Sequence, residues 1–263
     1  MLEIVALRTK LNPSPHLPSA SLATEEERIK QEYERRAADP AYRHLYSLLN
    51  PATLAGVQSL ERAWMRVFRA EGITDLSSTK ILDIGCGGGG PILRWINYGM
   101  RPGNIAGIDL VPERVEQARQ RLPPAVDLRQ GDASSLPFAR SSFDIVTQSV
   151  VFSSILSAEM KQAVASEMLR VLRAKGFIIW YDFWLNPRNP QTRGIKPAEI
   201  RRLFGGCSFS FHRITLAPPL ARRLAPFSFV LCYALESLRV LNTHYLAVIR
   251  PGQARQEHQS LGR

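Results

Sequence analysis

Cysteine is scarce in this chain, with three among 263 residues. Cys86, Cys207 and Cys232 stand far apart and lack the spacing of metal ligands. That argues against a disulfide scaffold and against a structural zinc. Long apolar runs are also missing: nothing reaches the ~20 residues that a membrane-spanning helix needs. The start of the chain has no basic-then-apolar signal pattern, so the expectation is a cytoplasmic protein with reduced thiols. No internal repeat is apparent. The length suits one α/β domain with an appended cap.

Acidic residues run short in one region only. Residues 1–169 carry nineteen Lys/Arg and nineteen Asp/Glu. Residues 170–263 carry fifteen Lys/Arg against four acids, Asp182, Glu199, Glu236 and Glu257, so the net charge of +11 arises there. Such a surface concentrates an anionic partner. Phosphorylated substrates, nucleotide-linked sugars, anionic lipids and nucleic acid all fit, as does a purely solubilising role for exposed arginines.

What the sequence does have is a glycine cluster, KILDIGCGGGG at residues 80–90. An apolar run, Ile81 to Ile84, breaks into glycines, and Pro91 then opens a helix. A strand that ends in glycines before a helix lets backbone approach a nucleotide-like ligand closely. Spacing alone leaves the ligand open. Gly85, Gly87 and Gly90 satisfy a dinucleotide fingerprint, while Asp83, Gly85, Gly87 and Gly89 satisfy that of S-adenosylmethionine.

Further strands are predicted at 104–110, ending in Asp109, at 126–132, ending in Gly131-Asp132, and at 143–152 and 176–183. Helices are predicted from Pro112 and near 157–174. This alternation implies a parallel sheet covered on both faces. A carboxylate at the position of Asp109 can accept both hydroxyls of a ribose.

Asp83-Ile-Gly-Cys-Gly-Gly-Gly, Gly107-Ile-Asp109, Gly131-Asp132-Ala133 with Leu136-Pro137-Phe138, Phe143-Asp144, and Leu169-Arg170-Val171-Leu172 follow in order. As an ordered set, over about residues 80–183, they resemble the class I S-adenosylmethionine-dependent methyltransferases of the broad small-molecule type. The resemblance implies a Rossmann-like, doubly wound seven-stranded sheet, mostly parallel with an antiparallel last strand. It implies S-adenosyl-L-methionine as cofactor. Asp83 with Gly85, Cys86, Gly87 and Gly89 would lie near its amino-acid end, and Gln148 near its methionine portion. Asp109 with Leu110 would hold the ribose, and Asp132 with Ala133 the adenine. Where such enzymes often carry Lys/Arg-Pro-Gly-Gly, this chain has Arg173-Ala174-Lys175-Gly176, a change expected in a turn.

Strands predicted at 209–216 and 243–250 suit the family's terminal antiparallel pair, with a helical excursion at 218–241 between them. A nicotinamide enzyme would repeat its glycine-rich half here, and none is visible. Residues 1–22 are expected to be a loose segment starting the chain and 251–263 a loose tail. Residues 23–75 are expected to form a helical cap, with a helix at 51–71 and a helix start near Ser21 or Thr24. Residues 76–250 would be the catalytic domain.

Tyr33, Tyr42, Tyr46 and Phe152 are the substrate-binding candidates. A base is required only if the acceptor must lose a proton, and His44, Tyr181 and Asp182 are the candidates for it. No metal is expected. Adenine methylation would call for an Asn/Asp-Pro-Pro-aromatic tetrapeptide after the fourth strand, where Thr147 to Phe152 stands instead. Cytosine C5 methylation would need a cysteine near the same place, so nucleic acid is disfavoured. The expected reaction is methyl transfer to a small-molecule or lipid- or glycan-linked acceptor, with oxygen slightly favoured. An NAD(P)-dependent oxidoreductase and a non-catalytic cofactor-binding regulator are the alternatives. Peripheral membrane contact through the arginine-edged apolar stretch at 218–241 is a further expectation.

Overall fold

The computed structural model describes residues 25–186 and 189–252. The expected loose segment at 1–22, the helix start at Ser21 or Thr24 and all but the first two residues of the expected tail lie outside the described residues.

Three helices come first: α1 (Glu25–Ala38), α2 (Pro40–Tyr46) and α3 (Pro51–Ala70). Strand β1 (Ile81–Ile84) then leads into α4 (Gly90–Asn97), β2 (Ile105–Asp109), α5 (Pro112–Arg121) and β3 (Asp127–Gln130). Strand β4 (Phe143–Ser149), helix α6 (Ala158–Val171), strand β5 (Leu172–Phe183) and helix α7 (Pro197–Leu203) follow. The chain closes with β6 (Cys207–Leu216), α8 (Pro218–Leu224), α9 (Phe229–Ser237) and β7 (Asn242–Pro251).

The strands form one sheet in the order β3-β2-β1-β4-β5-β7-β6. Neighbours from β3 to β5 are parallel, and β7 runs antiparallel to both β5 and β6. A fully parallel dinucleotide fold would instead continue the order 3-2-1-4-5-6. The antiparallel last strand is what the resemblance led us to expect; its place between β5 and β6 is a finding of the structure.

Strands β1 and β2 are buried at every position, because helices cover both faces of the sheet. One core joins Leu82, Ile84 and Ile108 to Val164 and Met168 of α6 and Ile200 of α7. The other joins Ile81, Ile105 and Ile145 to Trp64 and Phe68 of α3 and Trp95 of α4. The Trp64 and Trp95 ring centroids are 3.9 Å apart. Helix α3 is therefore a sheet-covering helix, and only α1 and α2 of the expected 23–75 cap lie over the cavity described below. The expected turn at Arg173–Gly176 lies within β5, where the pairing with β4 shifts between Phe143 and Ile145.

Two short helices escaped the sequence reading. Asp39 caps α2 by accepting the Ala41 amide at 2.8 Å, with Pro40 in the first turn. Helix α7 likewise starts at a proline, Pro197. Each spans seven residues, too few to establish a helical period.

Candidate active site

The strand order reverses between β1 and β4, since the chain first builds outward to β3 and then returns to the other side of β1. Open α/β sheets bind ligands at that point, beyond the carboxyl ends of the strands. A cavity of about 760 Å³ lies there. Its floor is formed by Ile84 and Gly85 after β1, Asp109 and Leu110 after β2, Asp132 and Ala133 after β3, and Ser149 to Val151 after β4.

Gly85 has φ +67°, and a Cβ there would sit 2.4 Å from Val151 Cγ2. Glycine is thus required both by the backbone and by the close approach of the β4 loop. The Gly87 amide donates to Asp109 Oδ2 at 2.8 Å, and the Val111 amide donates to Oδ1 at 3.0 Å. The carboxylate is 6% exposed, fixed by backbone and turned to the cavity. Each of its oxygens keeps a lone pair for a ligand hydroxyl. Asp132 accepts the Ser134 amide at 2.9 Å and the Ser134 hydroxyl. Arg114, in the first turn of α5, lines the cavity and sets its guanidinium 4.7 Å from the centre of the Tyr33 ring.

Helix α1 forms the roof, turning Ile29, Tyr33, Arg36 and Ala37 to the cavity at helical spacing. It is tied to the β4–α6 connection: Arg28 donates to the Ser154 carbonyl at 2.6 Å, and Glu25 accepts the amides of Leu156 and Ser157. Helix α2 adds Tyr42 and Tyr46, whose rings lie 6.1 Å apart and nearly parallel. Apolar side chains, among them Val150, Ile155, Met160 and Val164, complete the wall.

Residues 82–180 match the family described as methyltransferase domain. This chain has the class I methyltransferase fold, and its residues 82–180 are similar to a methyltransferase domain. A phthiotriol/phenolphthiotriol dimycocerosates methyltransferase of Mycobacterium ulcerans is 33% identical over 117 residues, 44% of this chain and 41% of that protein. A demethylmenaquinone methyltransferase of Deinococcus radiodurans is 32% identical over 162 residues, 60% of this chain and 62% of that protein. The matched part thus spans less than two thirds of either relative. Among solved structures, the PH0226 protein of Pyrococcus horikoshii OT3 superposes with a TM-score of 0.58 at 18% identity, covering 84% of this chain and 98% of its own. The [4+2]-cyclase SpnF superposes with a TM-score of 0.55 at 18% identity, covering 87% and 97%. At such identities the structures speak for the fold alone.

The methyltransferase domain has a site that fits its family's cofactor. Asp109 and Asp132 offer acceptors for hydroxyl and amine groups, and Gly85 leaves room for close backbone approach. Asp83 Oδ2 is a buried oxygen with no hydrogen-bond partner. Burial, followed by the charge of Asp109, pushes the Asp83 carboxyl up to about 8.

Of the residues singled out from the sequence, Gly85, Asp109, Leu110, Asp132, Ala133, Tyr33, Tyr42 and Tyr46 line the cavity. Asp83 is 1% exposed beneath it. Gly87 meets it only through its bond to Asp109, and Gly89 is the N-cap of α4. The Cys86 side chain packs into the core, where burial raises its thiol; a Cβ on Gly107 would meet its sulfur at 2.9 Å.

Five more of the residues singled out from the sequence lie away from the cavity lining. Gln148 is fully buried: its amide donates to the Tyr181 carbonyl at 3.1 Å and its oxygen accepts the Val151 amide at 2.9 Å. It clamps the turn in which Val150 adopts φ +62°, a conformation costly for a β-branched residue. Phe152 is buried in the core beside Trp180 and Phe204. Asp182 is fully buried, accepting the amides of Ser153 and Phe183 at 2.9 Å each, and burial pushes its carboxyl up to about 7. Tyr181 shares a 2.9 Å hydrogen bond with Thr215 and stacks on His244. None of the four lines the cavity, nor does His44, which is exposed on α2. The reading missed Arg114, Glu34 and the apolar wall. Arg114 had a signal, because the first turn of a helix after an acidic strand end faces the ligand crevice.

Proposed function

We propose that this methyltransferase acts on a water-insoluble, lipid-like acceptor, which approaches the cofactor beneath the roof of α1 and α2. The observation that carries the reading is the wall itself: beyond the Asp109 and Asp132 end, the cavity is lined by Ile29, Val150, Val151, Ile155, Met160 and Val164. The names of both curated relatives support it, since a dimycocerosate and a menaquinone precursor are long apolar molecules.

In this reading Asp109 holds the ribose, Asp132 and Ala133 face the adenine, and Asp83 with the glycine loop supports the amino-acid end. When bound, S-adenosylmethionine supplies a methyl group already activated on its sulfonium. The chain's own work is to orient the acceptor and exclude water, and positioning of that kind can lower a barrier by ~7–11 kcal/mol. We assign oxygen as the methylated atom. Glu34, an exposed carboxylate among the residues lining the cavity, would then receive the hydroxyl proton, a role first expected of His44, Tyr181 or Asp182.

The test is incubation with methyl-labelled S-adenosylmethionine and, in parallel, an organic-solvent lipid fraction and an aqueous metabolite fraction. The reading predicts label in the lipid fraction, lost in Asp109→Ala. Label confined to the aqueous fraction would contradict the acceptor class, and cofactor binding without any transfer would favour the regulator.

A further inference from the structure

We propose that the segment from α8 through the end of α9, together with the α2–α3 loop, is a docking surface for a bilayer containing anionic phospholipid. Its purpose, delivering a lipid-like acceptor to the cavity, rests on the reading above. The surface itself is argued from a different set of residues.

Helix α9 is apolar almost all round, yet only one narrow stripe is covered. Cys232 and Leu235 pack with α8 and with Ala52 and Ala55 of α3. Glu236 is held by Ser59 and Arg62. The remaining faces and flanking turns present Phe227, Val230, Leu238 and Val240 to solvent at 89%, 79%, 61% and 70% exposure. A helix apolar on every side belongs in a core or at an apolar boundary, and exposed apolar surface of this extent marks an interaction site. Leu48 and Leu49 of the α2–α3 loop are 52% and 92% exposed. They precede the end of α3 on which α8 packs, so they join the same surface.

The charge around this surface has one sign. Arg222, Arg223 and Arg239 are exposed and have no carboxylate partner among the described residues, and Glu236, the acid between them, is already paired with Arg62. At the C-terminal end of α9, Arg62, Arg66, Arg213 and Arg239 wall a pocket of about 400 Å³. An apolar face rimmed by arginine suits lipid headgroups and the acyl boundary beneath them. A second copy of the chain suits it poorly. A two-fold contact would set the same arginines against each other, at a like-charge cost.

Arg222 is within electrostatic reach of Tyr46, which lines the cavity and is 67% exposed. No helix among the described residues is long and apolar enough to cross a membrane, so contact would be peripheral.

The experiment is flotation of the full chain with vesicles of phosphatidylcholine alone and of phosphatidylcholine mixed with phosphatidylglycerol. We expect binding to the mixed vesicles that weakens with salt. Phe227→Ser with Val230→Ser should lower that binding roughly tenfold or more, as should Arg222→Glu with Arg223→Glu. These side chains are exposed, and unchanged circular dichroism and cofactor titration would show that each variant is folded. Equal flotation of wild type and both variants would overturn the proposal, as would no binding to the mixed vesicles. A dimer in sedimentation velocity, dispersed by Phe227→Ser with Val230→Ser while vesicles go unbound, would assign the surface to a second copy instead. Flotation needs no cofactor, so failure here and failure of the methyl-transfer reading are separate results.

Discussion

Asp109 accepts the Gly87 amide at 2.8 Å and thereby fastens the glycine loop to the end of β2. One side chain thus shapes the loop and presents an acceptor to the cavity. Replacing Asp109 with Ala removes a charged acceptor from two buried amides, each such bond being worth ~1.5–3 kcal/mol. We predict a stability loss of about 3–6 kcal/mol in denaturant unfolding and roughly tenfold or more weaker cofactor binding. Asp109→Asn should fall between, since it keeps one oxygen acceptor. An Asp109→Ala variant with wild-type stability would mean that the loop is held by other contacts.

Gly85→Ala separates backbone strain from crowding. The left-handed conformation costs a non-glycine residue ~1–2 kcal/mol, and the new methyl also meets Val151 at 2.4 Å. The single variant should lose more than the strain alone. Adding Val151→Ala should return the difference and leave about 1–2 kcal/mol. Thermal or denaturant unfolding of both chains reads this directly, and equal losses would show that crowding contributes nothing.

Tyr181→Phe tests whether the hydroxyl near the end of β5 is structural or catalytic. The hydroxyl bonds Thr215 inside the protein and does not reach the cavity. The variant should lose about 0.5–1.5 kcal/mol of stability while cofactor affinity and methyl transfer stay at the wild-type level. A large loss of kcat with stability intact would restore Tyr181 as a catalytic candidate.

Stability should fall on both sides of a mid-range pH. Asp83 and Asp182, raised to about 8 and about 7, hold protons more tightly in the folded state. Their contribution is full below the ordinary carboxylate range and is lost as pH rises through about 7 to 8. His244 works in the opposite sense: burial lowers it to about 4, so its contribution is present above the ordinary histidine range and disappears as pH falls toward 4. Asp83→Asn should flatten the alkaline limb, and His244→Phe the acidic one, in unfolding measured from pH 4 to 9. An alkaline limb unchanged in Asp83→Asn would refute the burial argument for that residue.

The parts legible in the sequence are those where local chemistry and topology coincide. The strands ending at Ile84, Asp109 and Gln130 could be read because an apolar run stops at a glycine or an acid, and the same stop places the last residues at the cavity. Gln148, Tyr181 and Asp182 lie off the cavity lining for a physical reason. Both faces of a central strand are buried, so alternation does not reveal which side chains look out of its end. At β4 the chain reaches the cavity through the backbone turn at Ser149 to Val151, beyond the strand residues to which the role was given. The roof could be read only in part. Tyr33, Tyr42 and Tyr46 fell in the right helices, but the position of α1 depends on Arg28 and Glu25 bonding residues more than a hundred positions away. The exposure of α9 was equally hidden, since an apolar stretch reads the same whether it is covered or bare.

The central claim is that the Asp109 end of the cavity holds S-adenosylmethionine. Calorimetric titration of the purified chain with S-adenosylmethionine, S-adenosylhomocysteine and NADH, repeated on Asp109→Ala, tests it most directly. The account predicts saturable binding of the first two, none of NADH, and a roughly tenfold or greater loss in the variant. Binding of NADH without S-adenosylmethionine, or equal S-adenosylmethionine affinity in a folded Asp109→Ala chain, would contradict it.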